Sequence, residues 1–453
     1  MSGSELLVGV DVGTTSAKAA VVSLDGRELS HGRAPMPWRQ VSTGAEIAPD
    51  ALVGTALAAV SSALGGGPDG PVVGLGVTGM AETGVLLDGA GTPVAPAIAW
   101  HDSRGAQEVR RLDDRLGPGR FTERTGLEVR PLCSASKYQW LRGHVEGAER
   151  GCRWLGVAEW VVHRLGGDHQ AELSLASRTG WLDLASRGWW QESLEACGAP
   201  AGLLPEPVVA GTAAGRVAAA HGRLAGAVLT VGGHDHLCAA AGVGAVGDGD
   251  VFDSCGTAEA FIAPVAPPVP AADVSRLVSE GVSVGWHVVP DRQALLGAQR
   301  AGLELQRFLD LLGVCAGQRD ALDSAAAAAP PGAGGLVVLG LEEDEMTLAG
   351  IPRRPAPGLV WRAALEAVTE RSAAILSRIE GLTGPTRRLV VGGGWARSAA
   401  LRDVKRARLG PFTYPCVGEP GARGAALLAG LAAGRYPAVD RLPAPPDERT
   451  GDR

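Results

Sequence analysis

The chain has 453 residues, too many for one hydrophobic core, so two or three domains are expected. Apolar residues make up 45% and charged residues 20%, the balance of a soluble globular protein, and no apolar run reaches membrane-spanning length without Gly, Pro or charge. The formal net charge of −7 argues against sequence-independent nucleic-acid binding.

The first residues, Met1 to Glu5, are short and polar and carry no signal-peptide pattern. The cysteines at 133, 152, 197, 238, 255, 315 and 416 form no C-x-x-C pair, so reduced structural thiols in a cytoplasmic protein are expected. The lysines are Lys18, Lys137 and Lys405; every other basic residue is arginine.

From Val8 to Arg27 the pattern reads strand, Gly-Thr-Thr turn, strand, Asp25-Gly26 hairpin, third strand. Gly13 lets the backbone approach a ligand closely. Thr14, Thr15 and Ser16 offer hydroxyls and N–H donors to an anion, and Lys18 adds positive charge. Asp11, at the strand end, is suited to hold Mg²⁺ directly or through water. Together these residues read as a cradle for nucleotide phosphates; an ordinary Gly-Thr hairpin is the alternative.

Asp50 to Leu64 reads as a helix and Val72 to Thr78 as a buried strand. Beyond it, Glu82, Trp100, Asp102 and Arg104 lie among apolar strands, where polar groups need internal partners or a polar substrate. Helices are expected over Ala106–Leu116, Ser134–His144, Trp154–Leu165 and Gln191–Cys197, with Trp181, Trp189 and Trp190 as core or interface aromatics. This mixed order of strands and helices argues α/β.

Val228 to Gly233 is a strand running into Gly-Gly-His-Asp-His, with a helix over Leu237 to Gly242. Asp235, at that junction, can face a cleft as a general base, or serve as a plain helix N-cap. A His234-Asp235-His236 metal site is disfavoured, because consecutive side chains rarely converge on one ion. Val251 to Pro264 faintly repeats the opening stretch, with Gly256-Thr257 answering Gly13-Thr14, each after a strand that carries an Asp. Two such turns pointing into one cleft would clamp a triphosphate from both sides.

Ser283–Val289 and Gln293–Leu296 read as a hairpin, Leu303–Leu312 as a helix, Ala325–Gly335 as a loop, Leu336–Leu341 as a strand and Leu359–Leu382 as a long helix. Leu389–Val391 runs into Gly392-Gly393-Gly394, a turn on which a base or ribose can lie against bare backbone, before a helix over Ala399–Leu409. Gly424–Gly434 is a small-residue helix, and the tail from Pro437 is expected to fray.

Taken in order, DVGTTSAK, GVTGMAETGVLLD, WHDSRG, GGHDHLCAA, DSCGTAEA and GGGWARSAAL resemble the FGGY carbohydrate kinases, from roughly Leu6 to Gly434. The resemblance implies two ribonuclease-H-like domains of the actin, hexokinase and heat-shock-ATPase fold around a central cleft. The division it implies is 1–246, 247–436 and a tail 437–453. It implies ATP, Mg²⁺ and transfer of the γ-phosphoryl group to a hydroxyl of a small sugar or polyol, ketopentose-like, and by family analogy a homodimer. Asp11 and Asp235 are then the metal-facing carboxylates and Asp235 the catalytic base. Gly256 and Thr257 match the second phosphate turn, Gly393 and Gly394 the adenosine turn, and Gly302 another nucleotide-side glycine. Ser398 stands where related kinases often carry Asn against adenine.

On the substrate loop, xylulose kinases of the family carry Met-His-Gly and glycerol kinases Arg-Glu-Thr where Ala81-Glu82-Thr83 stands. Glu82 and Thr83 resemble the second group, without its arginine. Glu82 can accept hydrogen bonds from two neighbouring hydroxyls, Trp100 can lie against an apolar sugar face, and Asp102 can take further hydroxyls. A non-catalytic ATP- or sugar-binding sensor is the rival reading; the presence of both Asp11 and Asp235 weighs against it.

Overall fold

The computed structural model describes residues 4–341 and 345–446. Two sheets organise the chain. The first has six strands in the order Ala213–Arg216, Val228–His234, Val72–Gly79, Leu6–Val12, Ser16–Ser23, Glu28–Pro35. Its last three strands form an antiparallel meander, and Val72–Gly79 runs parallel to Leu6–Val12. The second has five strands in the order Val282–Trp286, Gln293–Gln299, Glu259–Val265, Asp250–Cys255, Arg388–Gly392. It resembles that plan: the antiparallel pair Asp250–Cys255 and Glu259–Val265 is joined by Gln293–Gln299, with Val282–Trp286 on the edge, and Arg388–Gly392 runs parallel to Asp250–Cys255. The faint sequence repeat is therefore a repeat of topology.

Leu6–Val12 is almost wholly apolar because helices cover both of its faces. Leu6, Val8, Val10 and Val12 pack toward the helix Pro49–Gly66, with Leu52, Ala56 and Val60. Leu7 packs toward the helix Pro420–Ala432, with Ala422, Ala426 and Leu427. That second helix lies directly on the strands: a Cβ on Gly9 would stand 1.8 Å from the Ala422 carbonyl oxygen, and one on Gly76 1.9 Å from that of Ala425. Only bare backbone permits this approach.

The expected division placed 420–436 with the second domain, but its helix packs on the first sheet. The glycines that admit it belong to the first domain's strands, so no pattern within the helix reports its partner. The expected fraying tail also differs. Val439 is buried, and Nη2 of the fully buried Arg423 donates to the carbonyls of Pro443 (3.1 Å) and Ala444 (3.0 Å). Residues 447–453 of that tail lie outside the described residues.

Two local expectations are corrected. The helix predicted from Trp154 begins at Val157, because Arg153–Gly156 pairs as a strand with Gly84–Leu87 and Glu159 accepts the Gly156 N–H (2.6 Å). The predicted loop Ala325–Gly335 begins inside a helix, Arg319–Ala327, whose Leu322 and Ala326 are buried. Trp181 and Trp190 are buried with Tyr138 and Trp154 in a separate aromatic cluster beside the first sheet. All seven cysteines are unpaired thiols, and no helix among the described residues is long and apolar enough to cross a membrane.

The helix Asp235–Gly242 is the seam between the halves. It continues the first sheet's strand Val228–His234, and its Leu237, Cys238 and Ala241 share a core with Phe252, Ala260 and Ile262 of the second sheet.

Candidate active site

The first turn follows the strand that ends at Val12. Its Thr14 is held at two points: Trp38 Nε1 donates to the Thr14 carbonyl (2.6 Å) and Trp100 Nε1 to the Thr14 hydroxyl (2.7 Å). Thr15 is exposed, whereas Ser16 is buried and accepts from Arg33 Nε (3.0 Å), so Ser16 is committed to the fold. Lys18 Nζ lies 3.0 Å from Glu419 Oε2, both side chains partly exposed. Glu419 immediately precedes the helix Pro420–Ala432, whose Gly421 abuts the Asp11 carboxylate: a Cβ there would be 2.6 Å from Oδ2.

Asp235 stands at the first position of its helix, after Gly233 (φ +92°). Its carboxylate does not cap the helix from the N-cap position. Instead Oδ1 accepts the His236 N–H (2.7 Å), and His234 Nε2 lies 3.3 Å from the same oxygen. The His236 ring turns the other way, its Nδ1 3.2 Å from Ser254 Oγ on the second sheet. The His234 ring thus stays beside Asp235 while the His236 ring turns away, so the three side chains do not converge on one ion.

Burial pushes the Asp235 carboxyl up to about 7; the Glu82 charge adds to the rise, and the His236 N–H and Lys18 oppose it. Asp11 is likewise pushed up to about 7, by burial first and by the Asp235 charge second, against Lys18. Asp11 Oδ1 is buried without a hydrogen-bond partner. Two desolvated carboxylates, one raised by the charge of the other and carrying an orphaned oxygen, form an electrostatic environment that a hard divalent cation relieves. The residues present therefore fit Mg²⁺, with Asp11 and Asp235 facing it.

On the substrate side, Glu82 holds φ +64°, uncommon for a residue with a Cβ. Its Oε1 accepts from Arg178 Nε and Nη2 (both 2.7 Å), and Arg178 Nη1 donates to Ser283 Oγ on the second sheet (2.9 Å). Arg178 was not among the expected residues; it comes from a segment that sequence reading treated as aromatic core. Thr83 is buried, and its hydroxyl has no partner. Trp100 is fixed at both ends, since the buried Lys137 ammonium donates to its carbonyl (3.1 Å). Lys137 also donates to the Pro131 (2.8 Å) and Leu132 (3.2 Å) carbonyls, and burial pushes it down to about 8.

Asp102 departs from expectation. Its carboxylate is fully buried and taken up by Arg104: Oδ1 accepts from the Arg104 backbone N–H (2.8 Å) and Nε (3.0 Å), and Oδ2 from Nη2 (2.7 Å) and the Ala45 N–H (2.7 Å). A carboxylate with these donors is a structural anchor for the Gly44–Ala45 backbone, not a hydroxyl acceptor in a cleft. Arg104 lies only two residues away, and its folding back is what the linear pattern could not display.

On the second sheet, Gly256 and Thr257 form the turn after Asp250–Cys255, with Thr257 exposed. Gly302 packs on it: a Cβ would be 2.1 Å from the Gly256 carbonyl oxygen, and the Leu303 N–H donates to the Thr257 carbonyl (3.1 Å). Gly393 (φ +99°) lies against Cys255, where a Cβ would be 2.7 Å from its carbonyl oxygen, and Gly394 borders open space. Gly256, Gly302, Trp395, Leu401 and Lys405 line one cavity. Ser398 is spent locally: its hydroxyl accepts from the Leu401 N–H (3.0 Å) as the N-cap of Ala399–Leu409 and donates to Asp323. The expected adenine contact is thus turned into a helix cap, the commonest use of Ser at that position.

Two sheets of related plan, each with a Gly-Thr turn and joined by the helix that carries Asp235, are the architecture of the actin-like, ribonuclease-H-like fold. Residues 6–242 match the N-terminal domain of the FGGY family of carbohydrate kinases. A glycerol kinase of Citrifermentans bemidjiense is 30% identical over 95% of this chain and 90% of its own length. One of Trichlorobacter lovleyi is 32% identical over the same shares. The crystal structure of xylulose kinase from Rhodospirillum rubrum superposes with a TM-score of 0.82 at 26% identity, covering 98% of this chain and 94% of that one. The chain belongs to the FGGY family of carbohydrate kinases and is an enzyme of that phosphotransferase class.

Proposed function

We propose that this enzyme transfers the γ-phosphoryl group of ATP to a hydroxyl of a small neutral sugar or polyol, with a ketopentose and glycerol as the first acceptors to try. The observation that carries the reading is that the buried Asp235 carboxylate lies within charge range of Asp11, which precedes the first Gly-Thr turn, and of Glu82 on the substrate loop. The relatives named as glycerol kinases, and the Glu82-Thr83 pair shared with that group, support a polyol-like acceptor. Ala81 leaves the acceptor without the arginine of that group. Arg178 brings a guanidinium to Glu82 from another segment, neutralising that carboxylate while its second oxygen stays available to hydroxyls.

Asp235 takes the proton of the attacking hydroxyl. Its raised proton affinity suits it to that role near neutral pH. His234 and the His236 N–H orient the carboxylate. Mg²⁺, facing Asp11 and Asp235, supplies charge neutralisation of the phosphates when bound. Gly13, Thr14, Thr15 and Lys18 on one side and Gly256 and Thr257 on the other bind the polyphosphate. Gly302, Gly393 and Gly394 leave bare backbone for the nucleoside. Positioning and charge stabilisation do most of the catalysis in a loose phosphoryl-transfer transition state.

The test is ADP release with MgATP against ketopentoses, deoxyketohexoses, tetritols, glycerol and inositols, with Asp235→Asn beside wild type. Turnover on one compound, lost on the order of a thousandfold in the variant, is expected. Near-normal turnover in Asp235→Asn would remove Asp235 from the role of base.

A further inference from the structure

Three of the 42 basic residues are lysine. One lies in the cleft, and the other two are among the most buried side chains of the molecule. Lys137 supports the substrate wall, as described above. Lys405, on the helix Ala399–Leu409, is 1% exposed. Its Nζ donates to Asp253 Oδ2 (2.6 Å) and to Glu259 Oε1.

Those two carboxylates flank the second turn. Asp253 is on the strand that enters it and Glu259 on the strand that leaves it. In the antiparallel register Cys255 faces Glu259 and Asp253 faces Phe261, so all four side chains share one sheet face. The ammonium sits in the box they form, 5.5 Å from the Phe261 ring centre, and Cys255 Sγ donates to Asp253 Oδ1 (3.3 Å). A compact ammonium with three donors suits this closed space; a planar guanidinium is wider and forked.

The network continues outward. Glu259 accepts from Ser372 Oγ (2.9 and 3.0 Å) on the helix Pro357–Thr383 and from Gln299 Nε2 (2.6 Å). Gln299 Oε1 accepts from Arg371 Nε (3.0 Å), and Arg371 pairs with Glu304 on the helix Ala301–Leu311. That helix carries Gly302, pressed against the Gly256 carbonyl. The buried polar chain therefore ties together the turn's two stems, the helix Ala301–Leu311, the helix Pro357–Thr383 and the helix Ala399–Leu409, and Glu259 and Lys405 form part of the inner wall of the cavity beside Gly256 and Gly302.

We propose that Lys405 is a positioning residue for the nucleotide: by holding both stems of the Gly256-Thr257 turn to the helix Ala399–Leu409, it sets the turn's backbone amides and the adenosine-side backbone in one fixed relation. The inference rests on the proposed reading of Gly256-Thr257 as a phosphate turn. A buried ion cluster returns little net stability compared with an apolar core of the same volume. The reason for one here is therefore geometric: two stems and a helix from distant parts of the chain are registered at a single atom.

The test compares wild type, Lys405→Met, and the charge-free triple variant Asp253→Asn, Glu259→Gln, Lys405→Met. Lys405→Met leaves two carboxylates without their cation and is expected to melt well below wild type or fail to fold. The triple variant keeps the side-chain volumes, so it carries the test. Calorimetric titration with MgADP reads nucleotide affinity without any acceptor, and steady-state kinetics give KM for MgATP and for the acceptor separately.

The expected result for the triple variant is a melting temperature close to wild type. MgADP affinity falls, and KM for MgATP rises, on the order of 10- to 100-fold, because small misplacements of binding groups carry costs of that size. KM for the acceptor stays within about twofold, since the acceptor is held by the other domain. A folded triple variant that binds MgADP as wild type does would overturn the role of Lys405 alone. A wild type that binds no MgADP would overturn the phosphate-turn reading, and the clamp with it.

Discussion

Each of the two sheets carries a Gly-Thr turn after its first antiparallel strand, and the two copies handle charge in opposite ways. Before the first turn, Asp11 lies two residues ahead of Gly13 and its carboxylate lies against Gly421, with Lys18, Glu419 and Asp235 within charge range. Before the second, Asp253 lies three residues ahead of Gly256. One residue of offset along a strand turns a side chain to the other face of the sheet. Asp253 therefore points into the core against Lys405, and Ser254 takes the cleft side, beside His236. The same turn thus has its aspartate beside Lys18 and Asp235 in one copy and buried against a lysine in the other.

The sharpest way to break this comparison is to neutralise Asp11. Asp11→Asn is expected to lower kcat on the order of 100-fold or more and to raise the Mg²⁺ concentration needed for half-maximal rate. Asp253→Asn should leave the Mg²⁺ dependence unchanged. Titrating activity against Mg²⁺ in both variants checks it; equal Mg²⁺ dependence would mean that the two aspartates do not differ in the way their directions suggest.

A second expectation concerns pH. A base must be ionised, so kcat/KM for the acceptor should rise with pH through the range set by the Asp11–Asp235 pair, near 7 without metal. Added Mg²⁺ favours the ionised carboxylates and should move that limb to lower pH. The stability sign is opposite. Both folded-state values lie above the ordinary carboxylate value, so the contribution of this pair to metal-free stability is fully present below about pH 4 and is lost as pH rises through about 7. Melting temperatures of metal-free protein at successive pH values should show this fall, and Asp11→Asn should make it shallower.

A smaller effect separates the acceptor side from the nucleotide side. Arg178→Ala leaves Glu82 without its two charge-assisted bonds, and the acceptor KM should rise about tenfold while KM for MgATP changes little. The mildest change is Trp100→Phe, which removes one hydrogen bond to the Thr14 hydroxyl. It should cost about fivefold or less in kcat/KM, shared between both substrates because Trp100 links the phosphate turn to the substrate wall. An effect on the acceptor alone would mean that the bond does not couple them.

Much of the site could be read along the chain where function and local pattern coincide. Asp11 with Gly13-Thr14 and Asp235 after Gly232-Gly233 each sit at the end of an apolar strand, and a strand end beside glycine is visible in a linear string. Other residues could not be read in this way. Glu419 reaches Lys18 across 401 positions of chain, and Arg178 reaches Glu82 from 96 positions away. Neither segment carries a motif of its own. Asp102 failed for the converse reason: its pattern suited a ligand, but a neighbouring arginine and a backbone N–H had already taken its oxygens.

The sequence by itself determined the two-sheet α/β plan, the two Gly-Thr turns and the place of Asp235 at a strand-to-helix junction, because strand alternation, turn glycines and apolar runs act over a few residues. Only the tertiary structure decided that the helix Pro420–Ala432 belongs to the first sheet, that Asp253 faces inward to Lys405, and that Ser398 caps a helix. Those outcomes depend on which surfaces meet. The close approach of backbone at Gly9 and Gly76, and the strand face on which a carboxylate emerges, are set by packing between segments far apart in the chain.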